Sequence, residues 1–267
     1  MKSFRKVLSI AGSDSGGGAG IQADVKTISA CGCYATTAIT AVTVQNTRGV
    51  RGVHVVPAEI VAGQIAAVLD DIGTDAVKLG MLPTEESIEA IAELLSARGA
   101  ANIVMDPVMV ATSGDRLISE AAADAIRRHV FPIATLVTPN IPEIEYITGI
   151  SVSSEGDFDR AAKALLDMGA RAVLLKSGHL DRPRLTEYLY TEDGYHTFPY
   201  DRIDTPNTHG TGCTLSSAVA SYLALGHPLP EAVRLGEDYV HEAILNGREY
   251  RTGEGHGPVH HFYRFWT

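Results

Sequence analysis

Short apolar runs alternate with longer amphipathic stretches along almost the whole chain, and this alternation predicts strands and helices in turn. Val7-Leu8-Ser9-Ile10-Ala11 reads as a buried strand that runs into the glycine-rich turn 12–18. A helix follows over 19–29, with Gly32 as its stop. Residues 35–44 are β-branched and apolar and read as a second strand, and 50–56 is a shorter extended piece ending at Pro57. Helices are expected over 58–69, behind a Thr84 cap with Glu85 and Glu86 in the first turn, and over 119–129. Strands are expected over 76–79, 102–105 and 135–137, the last two stopped by Asp106-Pro107 and Thr138-Pro139-Asn140. Helices over 142–147 and 158–168 lead to a strand over 172–175 that ends at Lys176. Segments 185–191 and 195–200, split by Glu192-Asp193-Gly194, form a hairpin. Helices over 214–225 and 229–246 close the regular structure, and from Gly253 the chain reads as irregular.

Such alternation implies an α/β fold, a mostly parallel sheet with helices on both faces. No internal repeat and no Pro/Gly/Ser linker divides the chain, so residues 1–267 read as one domain. The 45% hydrophobic content is enough for a large core, and 20% charged residues is too few for a disordered chain. A net charge of −10 argues against nucleic-acid binding, which needs a basic footprint. It leaves anionic small substrates open, because oriented backbone dipoles act locally. No apolar run reaches the roughly 18 residues that span a bilayer. The apolar stretch after the basic start breaks at Gly12, as a strand does and a signal peptide does not. Three cysteines form no disulfide framework, and a reducing cytoplasm is the simplest reading.

In sheets of this kind ligands bind beyond the carboxyl ends of the strands. The polar residues there are Asp14, Gln45, Asn46, Asp106, Asn140, Glu143 and Lys176, with Met81 after the third strand. A further candidate is Asn207-Thr208-His209-Gly210-Thr211-Gly212-Cys213-Thr214, which runs into an Ala/Ser/Leu-rich helix. The unpaired N–H groups of a helix start, with its dipole, make an anion site. Gly210 and Gly212 let backbone approach the anion, and Cys213 stands where a thiol pKa is expected to be lowered. Acids for a metal, a lysine for phosphate charge and an anion loop are the kit of phosphoryl transfer, which works mostly by positioning and charge stabilisation.

Each of these residues also has a plainer role. Asp106 before Pro107 can simply start a turn, and Glu143 can simply favour a helix start. Cys213 can be a small core residue. Cys31 and Cys33, with no second pair, do not make a zinc or redox site, and His256, His260 and His261 suit packing or surface exposure. Gly18-Ala19-Gly20-Ile21-Gln22-Ala23 matches a permissive dinucleotide fingerprint, but after Asp24 the next acid is Glu59, so the ribose-binding carboxylate is missing. With no Gly-Lys dipeptide there is no Walker-type P-loop.

The motifs Ala11-Gly12-Ser13-Asp14-Ser15-Gly16-Gly17-Gly18-Ala19-Gly20, Thr43-Val44-Gln45-Asn46, Lys78-Leu79-Gly80-Met81-Leu82 and Asp106-Pro107-Val108-Met109 occur in order. They continue through Thr138-Pro139-Asn140-Ile141-Pro142-Glu143, Lys176-Ser177-Gly178-His179, His209-Gly210-Thr211-Gly212-Cys213-Thr214 and Gly257-Pro258-Val259-His260-His261-Phe262. With these motifs the whole chain resembles the hydroxymethylpyrimidine/phosphomethylpyrimidine kinases of thiamin biosynthesis. The resemblance implies a three-layer α/β/α ribokinase-like fold, a cytoplasmic homodimer, and ATP with Mg²⁺. It implies transfer first to the hydroxymethyl oxygen of 4-amino-5-hydroxymethyl-2-methylpyrimidine and then to its monophosphate. By the same resemblance Gln45 would read the pyrimidine edge, with Met81, Val108, Gly12 and Ala19 around the ring. Asn140, Lys176, Thr208, Thr211 and Gly212 would handle the nucleotide phosphates, and Asp106 and Glu143 would support magnesium through water. Gly210 to Cys213 would form the anion hole, with Cys213 as the base where many relatives carry Asp. A pyridoxal kinase of the same branch, a non-catalytic ligand-binding module and a dinucleotide oxidoreductase are the competing readings. Gln45 favours the aminopyrimidine because its amide offers a donor and an acceptor side by side.

Overall fold

The computed structural model describes residues 2–109, 118–180 and 182–266. The apolar runs become strands β1 (Lys6–Ser13), β2 (Tyr34–Asn46), β3 (Gly49–Val55), β4 (Ala76–Leu79), β5 (Ile103–Met105), β6 (Leu136–Val137), β7 (Val173–Leu175), β8 (Arg184–Thr191) and β9 (Gly194–Asp201). The amphipathic stretches become α1 (Gly20–Ala30), α2 (Ala58–Ala67), α3 (Glu85–Ala97), α4 (Glu120–Ala125), α5 (Ile141–Thr148), α6 (Phe158–Asp167), α7 (Thr211–Ala224) and α8 (Leu229–Gly247). The strands form one sheet in the order β3-β2-β1-β4-β5-β6-β7-β8-β9. Strands β2, β1, β4, β5, β6 and β7 run parallel, whereas β3, β8 and β9 pair antiparallel at the two ends.

Side-chain alternation along the strands supplies two cores, one on each face. Leu8, Leu79, Met105 and Leu175 pack against Ile65 of α2, Ile91 of α3, Ile144 of α5 and Phe158 of α6. Val7, Ala76, Val104 and Leu174 pack against Ile28 of α1, Val219 of α7 and Tyr239 of α8. The result is the expected helix–sheet–helix layering. Because the inner strands are parallel, their carboxyl ends share one edge, and the glycine turn, Asp106, Asn140 and Lys176 all leave from it.

The structure departs from the predicted elements in two ways. The helices expected over 58–69 and 119–129 end as α-helix at Ala67 and Ala125 and continue in wider turns, Val68–Ile72 and Ile126–Val130. The helix expected from Thr214 starts at Thr211, because Gly210 takes a left-handed backbone (φ 82°) as its N-cap. Gly212 and Thr211 are poor helix formers, so propensity pointed past the true start.

Candidate active site

A cleft of about 690 Å³ opens along the carboxyl edge of the sheet. Gly12, Ala19, Gln45, Met81, Asp106, Val108, Asn140, Glu143, Lys176, Thr208, Gly210, Thr211, Gly212 and Cys213 all line it, whereas Asn46, also singled out from the sequence, does not.

At one end Gly12 sits so close to Met81 that any Cβ would press on its terminal methyl. The Thr40 hydroxyl donates to the Met81 carbonyl at 2.7 Å and fixes that wall. Ser15 and the Gln45 backbone exchange hydrogen bonds of 2.7 and 2.9 Å, and the Thr43 hydroxyl lies 3.1 Å from the Gln45 Oε1. The amide therefore enters the cleft from an anchored backbone.

The turn between β1 and α1 is closed from within. Asp14 accepts from the N–H groups of Gly16, Gly18 and Ala19 at 2.7, 3.1 and 2.9 Å, and the His209 imidazole donates to it at 2.9 Å. Burial works against the Asp14 carboxylate, but His209 and the backbone N–H donors outweigh it and hold its pKa below the ordinary value. The amides that a dinucleotide pyrophosphate would need are thus already occupied by a side chain, which disfavours the dinucleotide reading.

In the middle of the cleft, Lys176 leaves β7 and pairs with Asn140 in a one-residue parallel bridge. Its Nζ lies 3.2 Å from Asp106 Oδ1, which also accepts from Thr138 at 3.3 Å. A Cβ placed on Gly212 would be 3.1 Å from Asp106 Oδ2 and 3.4 Å from Lys176 Nζ. The space above the start of α7 is therefore roofed by a cation and a carboxylate. Burial opposes the Lys176 charge, but Asp106 and then Glu143 raise its pKa above the ordinary value. Asn140 and Glu143 form a capping box on α5, with bonds of 3.0 and 2.8 Å. The plainer reading of Glu143 as a helix-start acid is therefore true, and the same carboxyl also lines the cleft. Burial pushes it up to about 7, with Lys176 opposing and Asp106 adding to the shift.

Cys213 corrects an expectation. It occupies the third position of α7 and lines the cleft, but it is buried, and burial pushes its thiol up to about 11 instead of down. Lys78 pulls the other way, Asp24 and Asp106 add to the rise, and the Gly20 N–H lowers it. Desolvation outweighs the helix N-terminus here. Cys213 rests as a thiol.

Other lining residues carried no sequence signal. Glu187 of β8 accepts from the Ser177 N–H at 2.7 Å and is pushed up to about 7 by burial. Glu237 of α8 is raised further, by burial and then Glu187. Tyr200, Ile203, Val240 and Ile244 wall the far end. Of the tail histidines His256 is exposed and His261 is buried, where it meets the Thr214 hydroxyl at 3.2 Å and burial pushes its pKa down to about 3. Among the described residues no three His, Cys, Asp or Glu side chains gather in a way that could hold a metal by themselves, and no helix is long and apolar enough to cross a membrane.

The profile of the family described as phosphomethylpyrimidine kinase matches residues 14–260. A hydroxymethylpyrimidine/phosphomethylpyrimidine kinase of Rhizobium meliloti is 50% identical over 260 residues, covering 97% of each chain. The crystal structure of a phosphomethylpyrimidine kinase from Clostridium difficile 630 superposes with TM-score 0.80 at 43% identity, covering 90% of this chain and 99% of that one. A pyridoxal kinase of Staphylococcus aureus, in complex with AMP-PCP and pyridoxal, superposes with TM-score 0.90 at 34% identity, covering 99% of this chain and 96% of that one.

Proposed function

The chain belongs to the phosphomethylpyrimidine kinase family, and from that premise we propose that it phosphorylates 4-amino-5-hydroxymethyl-2-methylpyrimidine and then its monophosphate with ATP, for thiamin biosynthesis. The observation that carries this reading is the cleft itself. An amide and a thioether wall stand at one end, and Lys176 faces the start of α7 in the middle.

The aminopyrimidine lies among Gly12, Ala19, Met81 and Val108, with the Gln45 amide paired to its amine and ring nitrogen. The nucleotide runs along Asn140, Lys176, Thr208 and Thr211 toward the apolar wall of Val240 and Ile244. The γ-phosphoryl group passes over the N–H groups of 210–213. The acceptor oxygen bonds to phosphorus, the bond from phosphorus to the ADP oxygen breaks, and the hydroxyl proton goes to a Cys213 thiolate that has first given its own proton to water. Since the thiol is neutral at rest, only its small deprotonated fraction can take that proton, and the anion hole and Lys176 bear most of the barrier reduction. Cys213→Ala is expected to lower kcat by about 10- to 100-fold with little change in KM for ATP, whereas full turnover would discard the thiol as proton acceptor.

Mg²⁺ fits these residues. Asp106 and Glu143 are hard oxygen donors on one side of the cleft, and the Glu143 carboxyl is raised partly by the Asp106 charge, an imbalance that a cation relieves. Two carboxylates leave most positions to phosphate oxygens and water, which is the habit of this ion. Bound there, it would offset charge on the nucleotide phosphates.

We extend the proposal to a single-domain, cytoplasmic homodimer. Its support is that β3 is an edge strand, and Val42, Val44, Val53 and Val55 stand exposed on the arm it forms with β2.

The similarity to pyridoxal kinase favours a second reading, since both substrates are flat heteroaromatic alcohols. Measuring kcat/KM for the two alcohols separates them. The pyrimidine is expected to be preferred, and Gln45→Leu should raise its KM by about 10- to 100-fold because a buried amine edge loses its partner. A tenfold higher value for pyridoxal would reverse the assignment.

A further inference from the structure

We propose that the Asp14–His209 hydrogen bond is a clasp that sets the gap between the acceptor alcohol and the anion loop, which makes both side chains positioning residues for the transfer. The inference rests on the phosphoryl-transfer reading of the cleft and adds two residues to it.

The parts that must meet come from opposite ends of the chain. Gly12 and Ala19, which wall the acceptor end, belong to the turn between β1 and α1, and the anion loop starts at Gly210. Transfer needs the acceptor oxygen within about 3–3.5 Å of phosphorus, and a misplacement of about 1 Å can cost roughly 100-fold in rate. The spacing of the two loops therefore bears directly on the rate. His209 and Asp14 lie 195 residues apart and bridge that spacing at 2.9 Å.

Each half of the bridge is fixed on its own side. Asp14 Oδ2 also accepts from the N–H groups of Gly18 and Ala19, and Oδ1 accepts from Gly16, so the carboxylate carries the turn with it, Ala19 included. The His209 N–H donates to the Gly257 carbonyl at 3.0 Å, and His209 pairs with Pro258 in a one-residue parallel bridge, so the C-terminal tail backs the imidazole. A Cβ on Gly18 would press on the His209 ring and come within 3.0 Å of the Pro258 Cβ, and one on Gly210 would run into the Gly18 carbonyl. Contact keeps the two loops from approaching further, and the hydrogen bond resists their parting. Both side chains line the cleft and are largely buried, so solvent competes little for the bond.

The test compares His209→Leu, which removes the donor, with His209→Gln, whose amide can place an N–H where the imidazole Nε2 stands. His209→Leu is expected to lower kcat by about 30-fold or more, with KM for ATP and for the pyrimidine alcohol within about threefold of wild type. It should also release at least about twice as much ADP per alcohol phosphorylated, because water enters a gap that the alcohol no longer fills. A mere loss of folded enzyme would leave that ratio at the wild-type value. His209→Gln should recover about a third or more of wild-type kcat and the wild-type ratio. Wild-type kcat in His209→Leu, a loss expressed in KM alone, an unchanged ratio, or a His209→Gln no better than His209→Leu would overturn the proposal. If His209→Leu does not fold, His209→Asn, polar but too short to reach Asp14, takes its place, and equal kcat for the Asn and Gln substitutions overturns the clasp. Wild-type turnover of the pyrimidine alcohol is measured first. Its absence counts against the functional reading, and the same comparison is then made with pyridoxal, whose alcohol would meet the same loops.

Discussion

Lys176→Ala is expected to lower kcat by about 100- to 1000-fold and to raise KM for ATP as well. Lys176 is the cation that faces the start of α7, 3.2 Å from Asp106 and beside the space above Gly212. Glu143, Glu187 and Glu237 all feel its charge as a stabilising influence. Without it, a polyanionic nucleotide enters a cleft lined by acids and meets repulsion in the ground state as well as in transfer. The variant is expected to fold, because Glu143 and Glu187 already sit near neutrality in their titration and can take up protons. Steady-state kinetics over a range of ATP concentrations checks this. Both constants within threefold of wild type would remove Lys176 from phosphate handling.

Gly210→Ala is expected to lose about 100-fold or more in kcat and several degrees in Tm. Gly210 has φ 82°, where an L side chain costs roughly 1–2 kcal/mol. Its added Cβ would also run into the Gly18 carbonyl, which is backbone and cannot swing aside. The loop cannot retreat freely, because the neighbouring His209 is tied to Asp14 at 2.9 Å and to the Gly257 carbonyl at 3.0 Å. Acceptor loop, anion loop and C-terminal tail are therefore one interlocked unit. Gly212→Ala gives the contrast. It lies in the first turn of α7 with helical backbone, and its Cβ would project toward Asp106 and Lys176. That variant should melt like wild type yet turn over at about 1% or less. Normal turnover would show that the phosphoryl group does not pass there.

Much of this was legible in residue order. The strand and helix alternation predicts the layered parallel sheet, and the carboxyl-edge rule gathers Gln45, Asp106, Asn140 and Lys176 from residue order alone. Even the absence of a ribose-binding acid after Asp24 pointed away from dinucleotides, and the structure supplies the cause: Asp14 fills the turn that a pyrophosphate would need.

Other properties depended on what surrounds each group in space. Position near a helix start predicts a lowered thiol pKa, but burial reverses it at Cys213, and burial is set by packing from α1, β4 and β5, far away in the chain. Glu187 and Glu237 reach the cleft only because the antiparallel hairpin and α8 fold over it. Lys78 and Asp24 are 54 residues apart, and nothing local to either predicts their pairing. Periodicity and turn chemistry are local and can be read along a chain. Desolvation and charge pairing act through space and become definite only once the layers have closed.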